Sequence, residues 1–126
     1  MKKIIATNKA PEAIGPYSQA IDTGSLIFSS GQIPINPEKG EVPEGVMAQT
    51  TQCLENVKAI AEEAGLTMDH IVKVSVFMKD LEDFAVMNEV YSTYFTQYPA
   101  RSTFQVARLP KDVLVEVEVI IARNDK

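Results

Sequence analysis

The residues best suited to chemistry crowd into one stretch, Pro99 to Ile121, PARSTFQVARLPKDVLVEVEVII. Arg101 carries a permanent charge in a planar fork that matches a carboxylate. Glu116 and Glu118 place two carboxylates at alternate positions further on. Pro99 ends any preceding helix, so Arg101 opens an extended segment, and Thr103 to Ala107 reads as a strand. Leu109-Pro110-Lys111-Asp112 is a turn, because proline presets φ and aspartate bonds its own backbone. Val115, Val117, Val119 and Ile121 alternate with Glu116, Glu118 and Ile120, a period-2 strand with both carboxylates on one face. Two antiparallel strands joined by this turn would bring Arg101 and Ser102 beside the Glu116/Glu118 face. The plainer alternative is an exposed hairpin edge with solvated charges.

Other reactive side chains are few. Cys53 lies beside the apolar stripe of a helix with no histidine placed to activate it, so it reads as a core residue rather than a nucleophile. His70 follows a polar turn, Thr67 to Asp69, and reads as structural or exposed. One His and one Cys argue against a metal centre. The single cysteine also excludes an internal disulfide and fits a reducing compartment. The beginning, MKKIIATNKA, has too short an apolar run for a secretion signal, and no later stretch approaches a membrane span. The expected setting is cytoplasmic. Seventeen acidic residues against 12 basic ones give a net charge of -5, which counts against nucleic acid or an anionic membrane as a general partner.

The elements that must position these residues are legible in turn. At 126 residues the chain is long enough for one domain, residues 1–126, with its own core. Lys2 to Thr7 reads as a short edge strand, Ser18 to Asp22 as a second, and Leu26 to Ser29 as a third, with Thr23-Gly24 as the hairpin turn. Ile33 to Gly45, rich in proline and glycine, is a loop. A helix follows from Val46 to Ala64, with Met47, Thr50, Leu54, Val57, Ala61 and Ala64 as its apolar stripe and Gly65 as its stop. Ile71 to Met78 is an apolar strand. Asp80 caps a second helix running to about Thr96, with Phe84, Met87, Tyr91, Tyr94 and Phe95 as its stripe and Asn88 at the margin. The order β-β-β-α-β-α-β-β predicts an α+β domain with both helices on one face of the sheet.

That layout leaves the other face open. Yet Val76 and Phe77, or Ile120 and Ile121, put apolar residues on both faces of their strands, as in strands buried on both sides. The second cover is expected from further copies, giving an obligate oligomer whose sheets pack together with Glu116 and Glu118 near the interface.

Six segments then carry a resemblance: IGPYSQA from Ile14, SGQIP from Ser30, Asn56-Val57-Lys58, VFMKDL from Val76, PARS from Pro99 and VARLPK from Val106. In this order, over essentially the whole chain, they resemble the RidA-type reactive intermediate/imine deaminases, a family also called YjgF or L-PSP. The resemblance implies a chorismate-mutase-like fold with a mixed six-stranded sheet, and a homotrimer with sheets packed at its centre and clefts between subunits. It implies hydrolysis of 2-imino acids (2-iminobutanoate, 2-iminopropanoate) and their enamine tautomers to 2-oxo acids and ammonia, with no cofactor. Such imines are released by pyridoxal-phosphate enzymes such as threonine dehydratase. It places Arg101 on the substrate carboxylate, Glu116 on the water, and Tyr17, Ser30, Gly31, Asn88 and Thr103 along the cleft. Many members have cysteine at Thr103 and glutamate at Gln105, and the segment between Phe95 and Pro99 is short, which leaves side-chain preference open. A hydroxyl in place of a thiol argues against a thiol being needed.

A protonated imine is already a strong electrophile, so the site must only hold a water against its carbon and manage protons. Arg101 nearby would lower the pKa of Glu116 and burial would raise it, so a base and a water-orienter both stay open. Two other functions compete. The cleft could bind small 2-oxo or amino carboxylates without turnover. An endoribonuclease or translation-inhibitor role, attached to some members, is disfavoured by the acidic charge and the lack of a basic stripe with interleaved aromatics.

Overall fold

The computed structural model describes residues 2–123; Met1 and residues 124–126 of the expected 1–126 domain lie outside them. The strands are β1 (Lys3–Ile5), β2 (Ala20–Asp22), β3 (Leu26–Ser29), β4 (Ile71–Met78), β5 (Ala100–Gln105) and β6 (Val115–Ala122), and the helices are α1 (Val46–Glu63) and α2 (Phe84–Tyr91). They form one six-stranded sheet in the order β1-β2-β3-β6-β4-β5. Every pairing is antiparallel except β4 with β5, which is parallel. The α+β class, the mixed sheet and the element order are as expected.

The expected hairpin between β5 and β6 is not formed. β4 lies between them, paired with β5 on one edge and β6 on the other. The connection after β5 crosses the end of β4: the Val106 N–H donates to Met78 O (2.9 Å) and the Lys79 N–H to Leu114 O (3.0 Å). The turn expected at Leu109 to Asp112 exists as a 3-10 turn, with Lys111 and Asp112 at positive φ, but it serves a wide connection rather than a hairpin.

The second helix is also shorter than the run from Asp80 to Thr96. Asp80 caps the 3-10 turn that leads into it, accepting from the Glu82 N–H at 2.9 Å, while Asp83, the residue before α2, makes no side-chain cap. Leu81–Asp83 and Ser92–Tyr94, however, are 3-10 turns flanking α2. The hydroxyls of Ser92 and Thr93 donate back to the carbonyls of Glu89 and Val90, a local competition that loosens helical turns. α1 ends as expected, with Gly65 at φ 79 in the left-handed region beyond its last turn.

One face of the sheet carries the core. Ile27, Val74, Val76, Met78, Val115, Val117, Val119 and Ile121 are buried against Cys53, Leu54, Val57, Ile60 and Ala61 of α1 and Met87 and Tyr91 of α2. Met47, expected in the stripe, is instead 54% exposed. Two buried amides tie α1 to its surroundings. Gln49 accepts from the Leu114 N–H and donates to Pro43 O. Asn56 donates to Ile33 O and Ile35 O, holding the loop after β3 against the helix.

The opposite face is apolar too. Ile4, Ile21, Phe28 and Ile120 follow one another in register across β1, β2, β3 and β6. Glu116, Phe77 and Phe104 form a second row across β6, β4 and β5. Ile4, Phe28 and Phe104 are 63%, 43% and 51% exposed.

Candidate functional site

Arg101 follows the parity of β5. It is in register with buried Val74, which puts it on the helix-covered side of the sheet at the edge strand. Its guanidinium lies 4.7 Å from the ring centre of Tyr91 and 5.5 Å from that of Phe84. Weakly hydrated guanidinium groups stack well on aromatic faces. Arg101, Asn88, Tyr91, Ser92 and Tyr98 line a hollow of about 390 Å³ between β5 and α2. Thr103, two residues along the same face, has a buried hydroxyl with no hydrogen-bond partner among the described residues. The Tyr91 hydroxyl is likewise buried beside Arg101, with no well-formed hydrogen bond among the described residues. Burial pushes its pKa up, against the lowering effect of the Arg101 charge.

Glu116 has the opposite parity. It stands in register with Phe77 on the open face, and its carboxylate lies against the Cα of Gly31. The loop carrying Gly31 is stitched on both sides. Gln32 exchanges backbone hydrogen bonds with Val117 (2.7 and 3.1 Å). The Ser30 N–H donates to Gln19 O, and the Ser30 hydroxyl to Ser18 O at 2.6 Å. Tyr17 and Gly31 share one small cavity with Ile14 and Gln32, and the Tyr17 hydroxyl accepts from the Ile14 N–H. Burial raises the pKa of Glu116 above the ordinary 4.5, and the like charge of Glu118 raises it further. Within the chain burial therefore decides the competition expected for this carboxylate, and Arg101 is not among the groups acting on it.

The expected cleft residues thus fall into two groups. Arg101, Thr103 and Asn88 sit on the helix-covered side at the β5 edge; Glu116, Gly31, Ser30 and Tyr17 gather on the open side. The neighbourhood expected from a hairpin holds only in part: Ser102 shares the open face with Glu118, through Ser75 between them, while Arg101 does not. The sequence reading missed Tyr91 and Phe84 as supports for Arg101; their spacing marked them as a helix stripe, and nothing local said that an arginine would lie across it. It also missed Lys73, which donates to the Ser102 hydroxyl at 2.9 Å on the open face.

Cys53 is fully buried, its thiol 3.5 Å from Val115 O, and burial pushes its pKa well up, with Glu116 adding to the rise. That is an inert core thiol. His70 turns back on its own turn, accepting from the Thr67 N–H at Nδ1. Among the described residues no group of three or more His, Cys, Asp or Glu could hold a metal ion, and no helix is long and apolar enough to cross a membrane.

The family model described as endoribonuclease L-PSP matches residues 7–123. The chain belongs to this family. An Escherichia coli protein named 2-iminobutanoate/2-iminopropanoate deaminase is 57% identical over 98% of this chain and 100% of its own length. The crystal structure of E. coli TdcF with bound serine superposes with a TM-score of 0.95 at 54% identity, covering 97% of this chain and 99% of that one. The YjgF gene product from E. coli superposes equally well, at 56% identity over 97% and 99% of the two chains. The resemblance carried by the sequence motifs is thereby borne out over the chain's length.

Proposed function

We propose that the protein is a cytoplasmic 2-imino acid deaminase that hydrolyses 2-iminobutanoate and 2-iminopropanoate to the 2-oxo acids and ammonia. The full-length likeness to the E. coli deaminase supports the chemistry. One observation supports a site between copies: Arg101 and Glu116 lie on opposite sides of a single sheet, an arrangement that two copies, rather than one chain, would bring to one substrate. The assembly is a homotrimer of chorismate-mutase-like subunits, sheets packed at the centre through the open face. The apolar row Ile4–Ile21–Phe28–Ile120 is the surface such packing would cover.

In that cleft Arg101 of one subunit grips the substrate carboxylate with its two-pronged fork, and the Tyr91 ring holds the fork in place. Glu116 of the next subunit faces the imine carbon through a water. The raised pKa suits a group that takes a proton from that water as it adds to the C=N carbon. The same proton then passes to nitrogen, and ammonia leaves as the added hydroxyl gives up its remaining proton to Glu116 and becomes the carbonyl of the 2-oxo acid. Gly31, Ser30 and Tyr17 wall the acidic half; Thr103 and Asn88 wall the cationic one.

Mixing tests this directly. Arg101→Ala and Glu116→Gln each cut every site of their own trimers to a small residual activity. Co-refolded in equal amounts, they should recover about a quarter of wild-type activity, because random closure of a heterologous ring pairs an intact Arg101 with an intact Glu116 at that frequency. Sites contained within single chains would give no recovery, and the reading would fall.

A second reading, binding of small carboxylates without turnover, is favoured by the serine seen in TdcF. It predicts saturable 2-oxobutanoate binding with no acceleration of imine hydrolysis above buffer.

A further inference from the structure

Gly31 differs from the other glycines of the chain. Gly24, Gly40, Gly45 and Gly65 have positive φ, and a Cβ added to any of them would meet nothing within 4 Å. Those are glycines of backbone conformation. Gly15 has no positive φ, but a Cβ there would make only ordinary contact with the Tyr17 ring at 3.5 Å. Gly31 has no left-handed backbone to explain it. A Cβ placed there would instead stand 1.8 Å from Oε2 of Glu116, 2.8 Å from its Cδ and 3.2 Å from its Cγ. The absent side chain is the space the carboxylate occupies.

We infer that Gly31 is a positioning residue for Glu116: its bare Cα is the seat that fixes the carboxylate, and a side chain here displaces the carboxylate rather than the fold. This rests on the reading of Glu116 as the water-handling group. The backbone around Gly31 has little room to retreat. Gln32 is bonded twice to Val117, the neighbour of Glu116, and Ser30 is bonded to Gln19 and Ser18. Asn56 holds Ile33 from the helix side. Glu116, by contrast, turns about its side-chain bonds. Its carboxylate is the part that yields, by roughly 1.5–2 Å before it reaches ordinary separations of about 3.5 Å.

The consequence is chemical. A misplacement of about 1 Å can cost about 10²-fold in rate, and a carboxylate driven off its seat is also better hydrated. The charge that bears on it is Glu118 on its own strand; the other titratable groups nearby are Lys73 on the open face of β4, the Tyr17 phenol in the cavity beside Gly31, and the neutral Cys53 thiol of α1.

The test is Gly31→Ala alone and in the Glu116→Gln background, with kcat, KM and the pH profile of 2-iminobutanoate hydrolysis measured on assembled protein. Gly31→Ala should lower kcat by about 10–100-fold with little change in KM. Its acid-side inflection should move to lower pH, because the displaced carboxylate loses part of the burial that raised it. In the Glu116→Gln background the same substitution should cost little more. Equal losses in both backgrounds would show that Gly31 acts on substrate directly and would overturn the inference, as would an unchanged rate and profile in Gly31→Ala. If Glu116→Gln alone keeps wild-type activity, the assignment of Glu116 fails instead, whatever Gly31→Ala does. Should Gly31→Ala fail to fold, Gly31→Ala/Glu116→Ala should fold as Glu116→Ala does, since the clash is removed. A double variant that still does not fold would sink the inference.

Discussion

Replacing Tyr91 tests how Arg101 is held. The guanidinium stacks over the Tyr91 ring at 4.7 Å and over the more exposed Phe84 at 5.5 Å. A cation over a desolvated aromatic face is worth about 1–2 kcal/mol, which corresponds to roughly 5–30-fold in an equilibrium. Tyr91→Leu removes the ring and should raise KM for 2-iminobutanoate by that factor with a smaller effect on kcat, because the anchor grips substrate and transition state alike. It also removes the contact with Phe95, whose ring centre lies 4.9 Å away, so the melting temperature should fall by several degrees. Tyr91→Phe keeps both rings and deletes a buried hydroxyl that, beside Arg101, makes no well-formed hydrogen bond among the described residues. Leaving such a group unsatisfied costs about 1–3 kcal/mol, so this variant should be as stable as wild type or more so, with unchanged KM. The assay couples threonine dehydratase and threonine to semicarbazone formation, well below every melting temperature. If Tyr91→Phe loses as much as Tyr91→Leu, the hydroxyl and not the ring supports Arg101, and the stacking argument is refuted.

Three further outcomes follow from the same geometry. Arg101→Ala should lose about 2–5 kcal/mol of transition-state stabilisation, as for truncating one partner of a buried charge pair, and Arg101→Lys should recover only part, read from kcat/KM. Glu118→Gln removes the like charge that helps raise Glu116; a base must be ionised to act, so the acid-side inflection of activity should move to lower pH while the plateau is kept. Cys53→Ala should leave turnover near wild type and lower stability modestly through a small cavity, measured by melting and initial rates.

Periodicity located most of the elements, because it is a local property: β3 and β4 begin and end where alternation and turn residues placed them. Pairing partners are not local. The stretch after Pro99 contains two strands and a turn, and nothing in its composition says that both strands flank a third from earlier in the chain. The hydrogen bonds that decide it, from Val106 to Met78 and from Lys79 to Leu114, are long-range. The face of Arg101 was equally hidden. β5 reads Ala-Arg-Ser-Thr-Phe-Gln, without the clean alternation that put Glu116 and Glu118 together on β6. The candidate site residues came as a set from the family motifs alone, and their division between two sides of the sheet was not legible in the sequence.

That division has a consequence for pH. Within one chain Arg101 does not act on Glu116, whose pKa is raised first by burial and then by Glu118. In the completed cleft the guanidinium of a neighbouring subunit would face it, and an opposite charge at short range lowers a carboxylate's pKa. Substrate would reverse this: its carboxylate, bound in the fork, would cancel most of the Arg101 charge and return Glu116 toward the higher value set by burial. The profile of kcat/KM reports free enzyme and that of kcat the substrate complex. The acid-side inflection should therefore lie at higher pH in kcat than in kcat/KM. In Arg101→Lys, where the cation is retained but the two-pronged grip on the carboxylate is lost, the gap should narrow. Coincident inflections in the wild-type enzyme would mean that Arg101 and Glu116 do not share a cleft.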